Sequence, residues 1–321
     1  MVVPNRVRAD LVPIKITEVQ PSRPLRRIVS WTLLAAAGAW VAASIYLGEI
    51  TLRLPRKPLP AISTWEVAPP ENVEISSAEG LKLRGWFFRA PKSNGGTVIL
   101  LHGQVDNRAG MLGYANLFLR HGYSALATDL RAHGTSGGVL ATYGFRESDD
   151  VRRWVGWVIR NQPGARVFGF GESMGAAILL QSLGVESRFC AVVAEAPYAT
   201  FREIAYDRLS QRYGSGRWPG RYLLRPVLEL SLIYERVRYG VDLDHVSPEQ
   251  AVAHCHTPVL LIFGSQDDNT PARHARRIHA SNPVSVTLWE ISAAGHTGAW
   301  GSRPQEFERR VLQWFDSCGT E

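Results

Sequence analysis

The chain has 321 residues, 45% hydrophobic and 20% charged, enough to bury the core of one large α/β domain. Its net charge of +7 is uneven: residues 1–60 hold nine Lys/Arg and three Asp/Glu, which leaves the remainder near neutrality and excludes a basic nucleic-acid-binding domain. Cys190, Cys255 and Cys318 lack metal-ligand spacing and permit at most one bridge, so no disulfide framework, metal site or cofactor is expected.

Residues 1–27 form a polar tail. From Ile28 to Gly48 there is no charged residue, and 21 residues at about 1.5 Å each match the hydrocarbon thickness of a bilayer. Trp31 and Tyr46 sit near the two ends, where amphipathic rings settle at the interface. The spacing predicts a transmembrane helix over 28–50. The small residues of "VAAS" keep a cleaved signal peptide as the alternative, and a buried helix is the third. Basic residues flank the segment on both sides (Lys15, Arg23, Arg26 and Arg27 before it; Arg53, Arg56 and Lys57 after it). They favour a cytoplasmic N-terminus only slightly, with the catalytic domain then extracytoplasmic. The Pro-rich stretch within 51–69 reads as a stiff linker.

The domain is expected over 70–321. Residues 72–77 and 81–88 read as a hairpin turning at Glu79-Gly80, and 97–101 as a strand buried on both faces. Then come helix 111–120, strand 123–130, helix 148–161 with Ser148 or Asp149 as N-cap, strand 165–170 and helix 174–183. Strands over 190–196, 258–264 and 284–290 follow, with helices over 272–280 and 304–315. This alternation implies a mostly parallel sheet with helices on both faces and antiparallel strands at one edge. Residues 201–257 lie between two strands and are too long for a simple crossover. They read as a helical cap or as a surface excursion; a cap would give an apolar acyl pocket with a cationic rim.

Two stretches fit the pattern G-x-S-x-G, "GTSGG" (134–138) and "GESMG" (171–175). The chemistry needs a strand, a strained turn carrying the serine, and a helix at once. Ser173 follows "RVFGF" and opens "AAILLQSL" directly, whereas Ser136 is separated from its strand and precedes no clear helix. A serine hydroxyl needs a base, and the base needs a third group to orient it. Asp267 and Asp268 follow one strand and His296 follows the next, in the chain order Ser, Asp, His, all at the carboxyl edge of the sheet. His274 and His279 fall in a helix and read as surface residues; His254 and His256 precede a strand, at the wrong edge. For the oxyanion, backbone N–H groups of Met174 and of Gln104 are the candidates, with Val105 second to Gln104. His102 reads as a residue that shapes that loop.

With "LLHGQ" (100–104), "DLRAHGTSGG" (129–138), "GFGESMG" (169–175), "PVLLIFGSQDDNTP" (258–271) and "AGHTGAW" (294–300) in place, the domain resembles the α/β-hydrolase superfamily, in its esterase, thioesterase and serine-aminopeptidase-like branch. The resemblance implies that Ser136 belongs to a non-nucleophilic loop and that Ser173 attacks. It favours Asp267 over Asp268 through Gly264, Asp267 and Pro271. Gln104, where Asn or Gly is frequent, and Ala132-His133 after Arg131 depart from the pattern without touching the triad. The expected activity is that of a membrane-anchored serine hydrolase of carboxylic esters acting on a small-molecule ester or acyl substrate. A peptidase or thioesterase, an acyltransferase and a non-catalytic tethered binding protein are the alternatives.

Overall fold

The computed structural model describes residues 23–62, 64–66, 69–213 and 224–318. It divides into two units, residues 1–42 and 43–321. The described part of the first is the start of one helix, α1 (Arg23–Leu52), with Ile28, Trp31, Leu33 and Leu34 exposed. By length and hydropathy α1 is the one helix among the described residues that could cross a membrane. It outruns the expected 28–50 at both ends because its flanks carry good helix formers, Pro24 is tolerated in the first turn, and the next proline is Pro55. Most of the 1–27 tail lies outside the described residues.

In the second unit, β1 (Glu71–Ser76), β2 (Lys82–Phe88), β3 (Gly96–Leu101), β4 (Ser124–Thr128), β5 (Arg166–Glu172), β6 (Phe189–Glu195), β7 (Val259–Gly264) and β8 (Val286–Ile291) form a single sheet. Their order is β1-β2-β4-β3-β5-β6-β7-β8. β1 pairs with β2, and β2 with β4, antiparallel; every other pair is parallel. The hairpin turns where expected: Gly80 takes a positive φ of 80°, and Ser77 Oγ accepts from the Glu79 and Leu81 N–H groups.

The helices are α2 (Leu112–Arg120), α3 (Glu147–Asn161), α4 (Met174–Ser182), α5 (Phe201–Tyr213), α6 (Arg225–Tyr239), α7 (Pro248–Val252), α8 (Arg273–Ser281), α9 (Ala299–Ser302) and α10 (Pro304–Asp316). Alternation along β3 sorts the core into two layers. Ile99 and Leu101 join the cluster with Trp154 and Val158 of α3, Ile178 and Leu179 of α4 and Ile278 of α8. Val98 and Leu100 join Leu117 and Phe118 of α2 and Phe307, Val311 and Phe315 of α10.

Two local expectations need correction. Neither Ser148 nor Asp149 caps α3, which starts at Glu147: Ser148 Oγ donates back to the Gly144 carbonyl at 2.5 Å, and Asp149 pairs with Arg152 and Arg153. The Glu147 carboxylate serves the turn before the helix instead, accepting from the Thr142 and Gly144 N–H groups at 2.7 and 2.9 Å. The start of the expected linker is laid on the domain. Leu52 is fully buried and its carbonyl accepts from Ala141 N–H at 2.8 Å, while Arg56 donates to the carbonyls of Gly134 and Ser136 at 3.1 and 2.6 Å.

Cys190 in β6 and Cys318 beyond α10 form a disulfide across 128 residues, while Cys255 is free and buried. Closing so long a loop restricts the unfolded chain, so Cys318→Ser should lower the unfolding free energy by about 2–4 kcal/mol, read as a lower urea midpoint with a slope that is no smaller and rises as the released chain expands.

Candidate active site

The parallel strands share one direction, so the turns after β3, β5, β7 and β8 open on the same edge of the sheet. β5 ends at Glu172 and α4 begins at Met174, which leaves Ser173 alone at the corner with φ 52° and ψ −115°. Such strain in a non-glycine residue persists only where the surroundings hold it. Here they do: Ser173 N–H donates to the Glu195 carbonyl at 2.8 Å. A Cβ on Gly175 would stand 2.3 Å from the Leu101 carbonyl oxygen, and one on Gly171 would meet Gly175 at 2.7 Å. Both flanking glycines are therefore required by close chain approach.

His296, after β8, has Nε2 2.8 Å from Ser173 Oγ and Nδ1 2.8 Å from Asp267 Oδ2. Asp267, after β7, is buried, and its second oxygen accepts from Thr270 N–H at 2.8 Å. Asp268 is exposed and takes no part. An acceptor carboxylate fixes the imidazole with its proton on Nδ1, so Nε2 is free to accept from the hydroxyl. This arrangement can take a proton from Ser173 as its oxygen attacks a carbonyl carbon.

The rival serine and histidines are occupied elsewhere. Ser136 is buried, donates to the Asp129 carbonyl at 2.7 Å and accepts from Arg84 N–H at 2.9 Å. His102 is buried, with Nδ1 at 2.7 Å from the Gly103 carbonyl and Nε2 accepting from Leu130 N–H at 3.2 Å; burial holds its pKa down at about 4. His274 corrects the surface expectation. It is fully buried on the inner side of α8, where Nδ1 accepts from Ala199 N–H at 3.1 Å and Nε2 meets Asp207 at 2.8 Å. An inward polar residue on a basic helix was illegible because its partner lies 67 residues away.

A cavity of about 470 Å³ opens at Ser173. Gln104, Ser173 and Met174 line it at one end, and α5 contributes Ile204, Arg208, Leu209 and Arg212. Leu228, Ser231 and Glu235 come from α6, and Tyr46, Leu47, Ile50 and Thr51 from the last turns of α1. Met174 opens α4, so its N–H has no acceptor within the helix. The Gln104 side chain donates to Tyr143 Oη at 3.2 Å, and Tyr143 donates in turn to the Thr51 carbonyl at 2.7 Å. The loop after β3 is thus tied to α1. Residues 214–223 of the 201–257 segment lie outside the described residues.

Two carboxyls near the site had no sequence signal. Glu195 ends β6 and is buried; its Oε1 accepts from Ala299 N–H at 2.9 Å, bracing the loop that carries His296, and burial pushes its pKa up to about 8. Glu235 is 1% exposed, its Oε2 has no partner among the described residues, and burial, with the Asp244 charge adding to it, pushes its pKa up to about 8. An acid raised this way is protonated when folded but ionises when unfolded, so its penalty grows as pH climbs from about 4.5 to about 8. Glu235→Gln should leave thermal stability nearly unchanged at pH 5 and raise it at pH 8, by at most about 4 kcal/mol. Equal shifts at the two pH values would refute the buried-acid assignment.

Residues 98–310 match the Alpha/beta hydrolase family, and the chain belongs to that family, which supports hydrolysis of a small molecule as its activity. Its relatives include the uncharacterized protein YqkD of Bacillus subtilis (strain 168), 30% identical over 76% of this chain and 78% of its own length. The uncharacterized protein YfhR of Escherichia coli (strain K12) is 26% identical over 75% of this chain and 78% of its own. The solved esterase Pf2001 of Pyrococcus furiosus matches with a TM-score of 0.64 and 25% identity, over 84% of this chain and 98% of that one.

Proposed function

We propose that this protein is a serine hydrolase that cleaves carboxylic esters through an acyl-enzyme on Ser173. His296 takes the hydroxyl proton on Nε2 as Ser173 Oγ bonds to the carbonyl carbon, then gives it to the departing alcohol as the ester C–O bond breaks. Water then loses a proton to His296 and attacks the acyl carbon, and the proton returns to Ser173 as the acid leaves. Asp267 holds the imidazole tautomer, and the N–H groups of Gln104 and Met174 receive the negative oxygen. The observation that carries this reading is the unbroken Ser173–His296–Asp267 chain, with both links at 2.8 Å and Ser173 on the wall of a largely apolar cavity. Likeness to an esterase supports the ester as substrate.

The segment 201–257, with α5 and α6 on the cavity, acts in this proposal as its cap. Residues 28–50 act as a retained membrane anchor. The last turns of α1, from Tyr46 onward, belong to the cavity wall and would stay with the domain even after a cut at "VAAS" (41–44), so the wall is compatible with either form and the anchor rests on the length and apolarity of the helix. α6 adds an exposed apolar stripe, Leu230, Ile233 and Val237, which suits a membrane surface. The Cys190–Cys318 disulfide favours an oxidising, extracytoplasmic side for the domain. Carbonate-washed membranes should retain a protein whose intact mass includes residues 28–50; a soluble, shortened product would end the anchor proposal.

The test of the chemistry is a fluorophosphonate probe on detergent-solubilised full-length protein. Labelling should vanish in Ser173→Ala and persist in Ser136→Ala, together with hydrolysis of p-nitrophenyl butyrate. Folded Ser173→Ala protein that still labels would sink the assignment.

A further inference from the structure

Among the described residues the cavity wall holds two arginines, Arg208 and Arg212, and one carboxyl, Glu235, whose burial keeps it neutral near pH 7. Arg208 is partly buried and forms no ion pair among the described residues. Its Nη1 donates to two neutral amide oxygens, Asn269 Oδ1 at 2.8 Å and Gln211 Oε1 at 3.2 Å. These fix the guanidinium without neutralising it. The charges of Asp267 and Asp207 oppose the effect of burial on its pKa, but both carboxylates make their hydrogen bonds elsewhere: Asp267 with His296 and Thr270, Asp207 with His274 and Arg273. The segment 214–223, "GSGRWPGRYL", has no acidic residue that could supply a counter-charge. Arg212, one turn further along α5, also faces the cavity and pairs with no carboxylate among the described residues. A cation drawn partly out of water, held in place by neutral amides and bonded to no carboxylate is matched by an anion that arrives with the ligand.

We infer that Arg208, with Arg212 one turn along α5, is a specificity-determining residue, and that the site takes an ester bearing an anionic group, a carboxylate or phosphate, beside its apolar chain. This rests on the ester-hydrolase reading above. The guanidinium fork suits either oxyanion, and a site built to bond such a group rejects the analogue that lacks it.

Two matched pairs of esters test this on detergent-solubilised full-length protein. On the acyl side, 4-nitrophenyl pentanoate is compared with 4-nitrophenyl hemiglutarate. On the alcohol side, 1-oleoyl-glycerol is compared with 1-oleoyl-glycerol-3-phosphate. The readout is the anionic-to-neutral ratio of kcat/KM. In at least one pair the wild type should favour the anion about tenfold or more. Arg208→Gln should lower that ratio about tenfold and Arg208→Lys should restore part of it, because the charge returns without the fork. The pair that responds tells which half of the ester carries the charge. A ratio at or below one in both pairs, or a ratio unmoved by Arg208→Gln, overturns the inference while leaving the ester-hydrolase reading intact. If none of the four esters is turned over and Ser173 does not label, the reading of the site itself fails and this inference falls with it.

Discussion

Asp267→Asn should lower kcat for p-nitrophenyl butyrate by about four orders of magnitude without unfolding the protein. The carboxylate has two tasks at once: Oδ2 faces His296 Nδ1 at 2.8 Å and Oδ1 accepts from Thr270 N–H at 2.8 Å. An asparagine can keep the second bond only with its carbonyl oxygen toward Thr270, which turns its amide NH2 toward Nδ1. The imidazole must then carry its proton on Nε2, the atom that has to accept from Ser173 Oγ. Base strength is lost with the charge as well, since no anion remains to stabilise the imidazolium. The neighbour provides the control: Asp268 is exposed, so Asp268→Asn should change kcat less than about twofold. Stopped-time assays of both variants, beside circular dichroism to confirm folding, decide the matter. An Asp267→Asn enzyme that keeps a tenth of wild-type kcat is incompatible with Asp267 as the orienting acid.

The sheet was legible because its signals are local. Short apolar runs ending in Gly- and Asp-rich turns fix where strands stop, and strand ends are where Ser173, Asp267 and His296 had to be sought; the structure brings these three into hydrogen-bonding distance. Features that depend on distant partners left no local trace. The apolar run of α1 reads alike whether a residue meets lipid or a cavity, so Leu47 and Ile50 gave no sign that they line the site. Tyr143 reaches Thr51 across 92 residues, and His274 reaches Asp207 across 67. Glu235 looked like an ordinary helix-surface glutamate between "IY" and "RV", and only the packing of Gly48 against it reveals a buried acid. Helix α3 shows the limit at shorter range: three acidic residues in its first turn announce an N-terminus, yet the backbone donors before it are satisfied by Glu147, inside the helix.

Asp129→Ala should cost about 3–5 kcal/mol of folding stability, the largest loss expected from a single side chain outside the active site. Asp129 is buried, and its carboxylate accepts from Arg108 N–H at 2.8 Å, Arg108 Nη1 at 2.9 Å and Thr135 N–H at 2.8 Å. Arg108 is itself buried, lies over the Trp86 ring at 4.6 Å and leaves its Nε unpartnered, so burial already lowers its pKa and Asp129 opposes that. Removing the carboxylate strands a cation and two N–H groups in the core at once. The cost exceeds that of an ordinary surface pair such as Lys57–Asp106, whose loss should fall below about 1 kcal/mol. For a domain of this size the loss corresponds to a fall in Tm of roughly 6–20 °C. A double variant separates the pair's net worth from the penalty of breaking it. If the penalty dominates, Arg108→Leu should recover much of the stability lost in Asp129→Ala, because a buried apolar pair leaves no charge unmatched. The site should feel the single substitution too, since Arg108 lies four residues beyond Gln104 on the loop after β3. Unfolding free energies of the two single variants and the double, measured in urea, give the coupling directly, and an Asp129→Ala protein within about 1 kcal/mol of wild type would mean that water reaches Arg108 in solution.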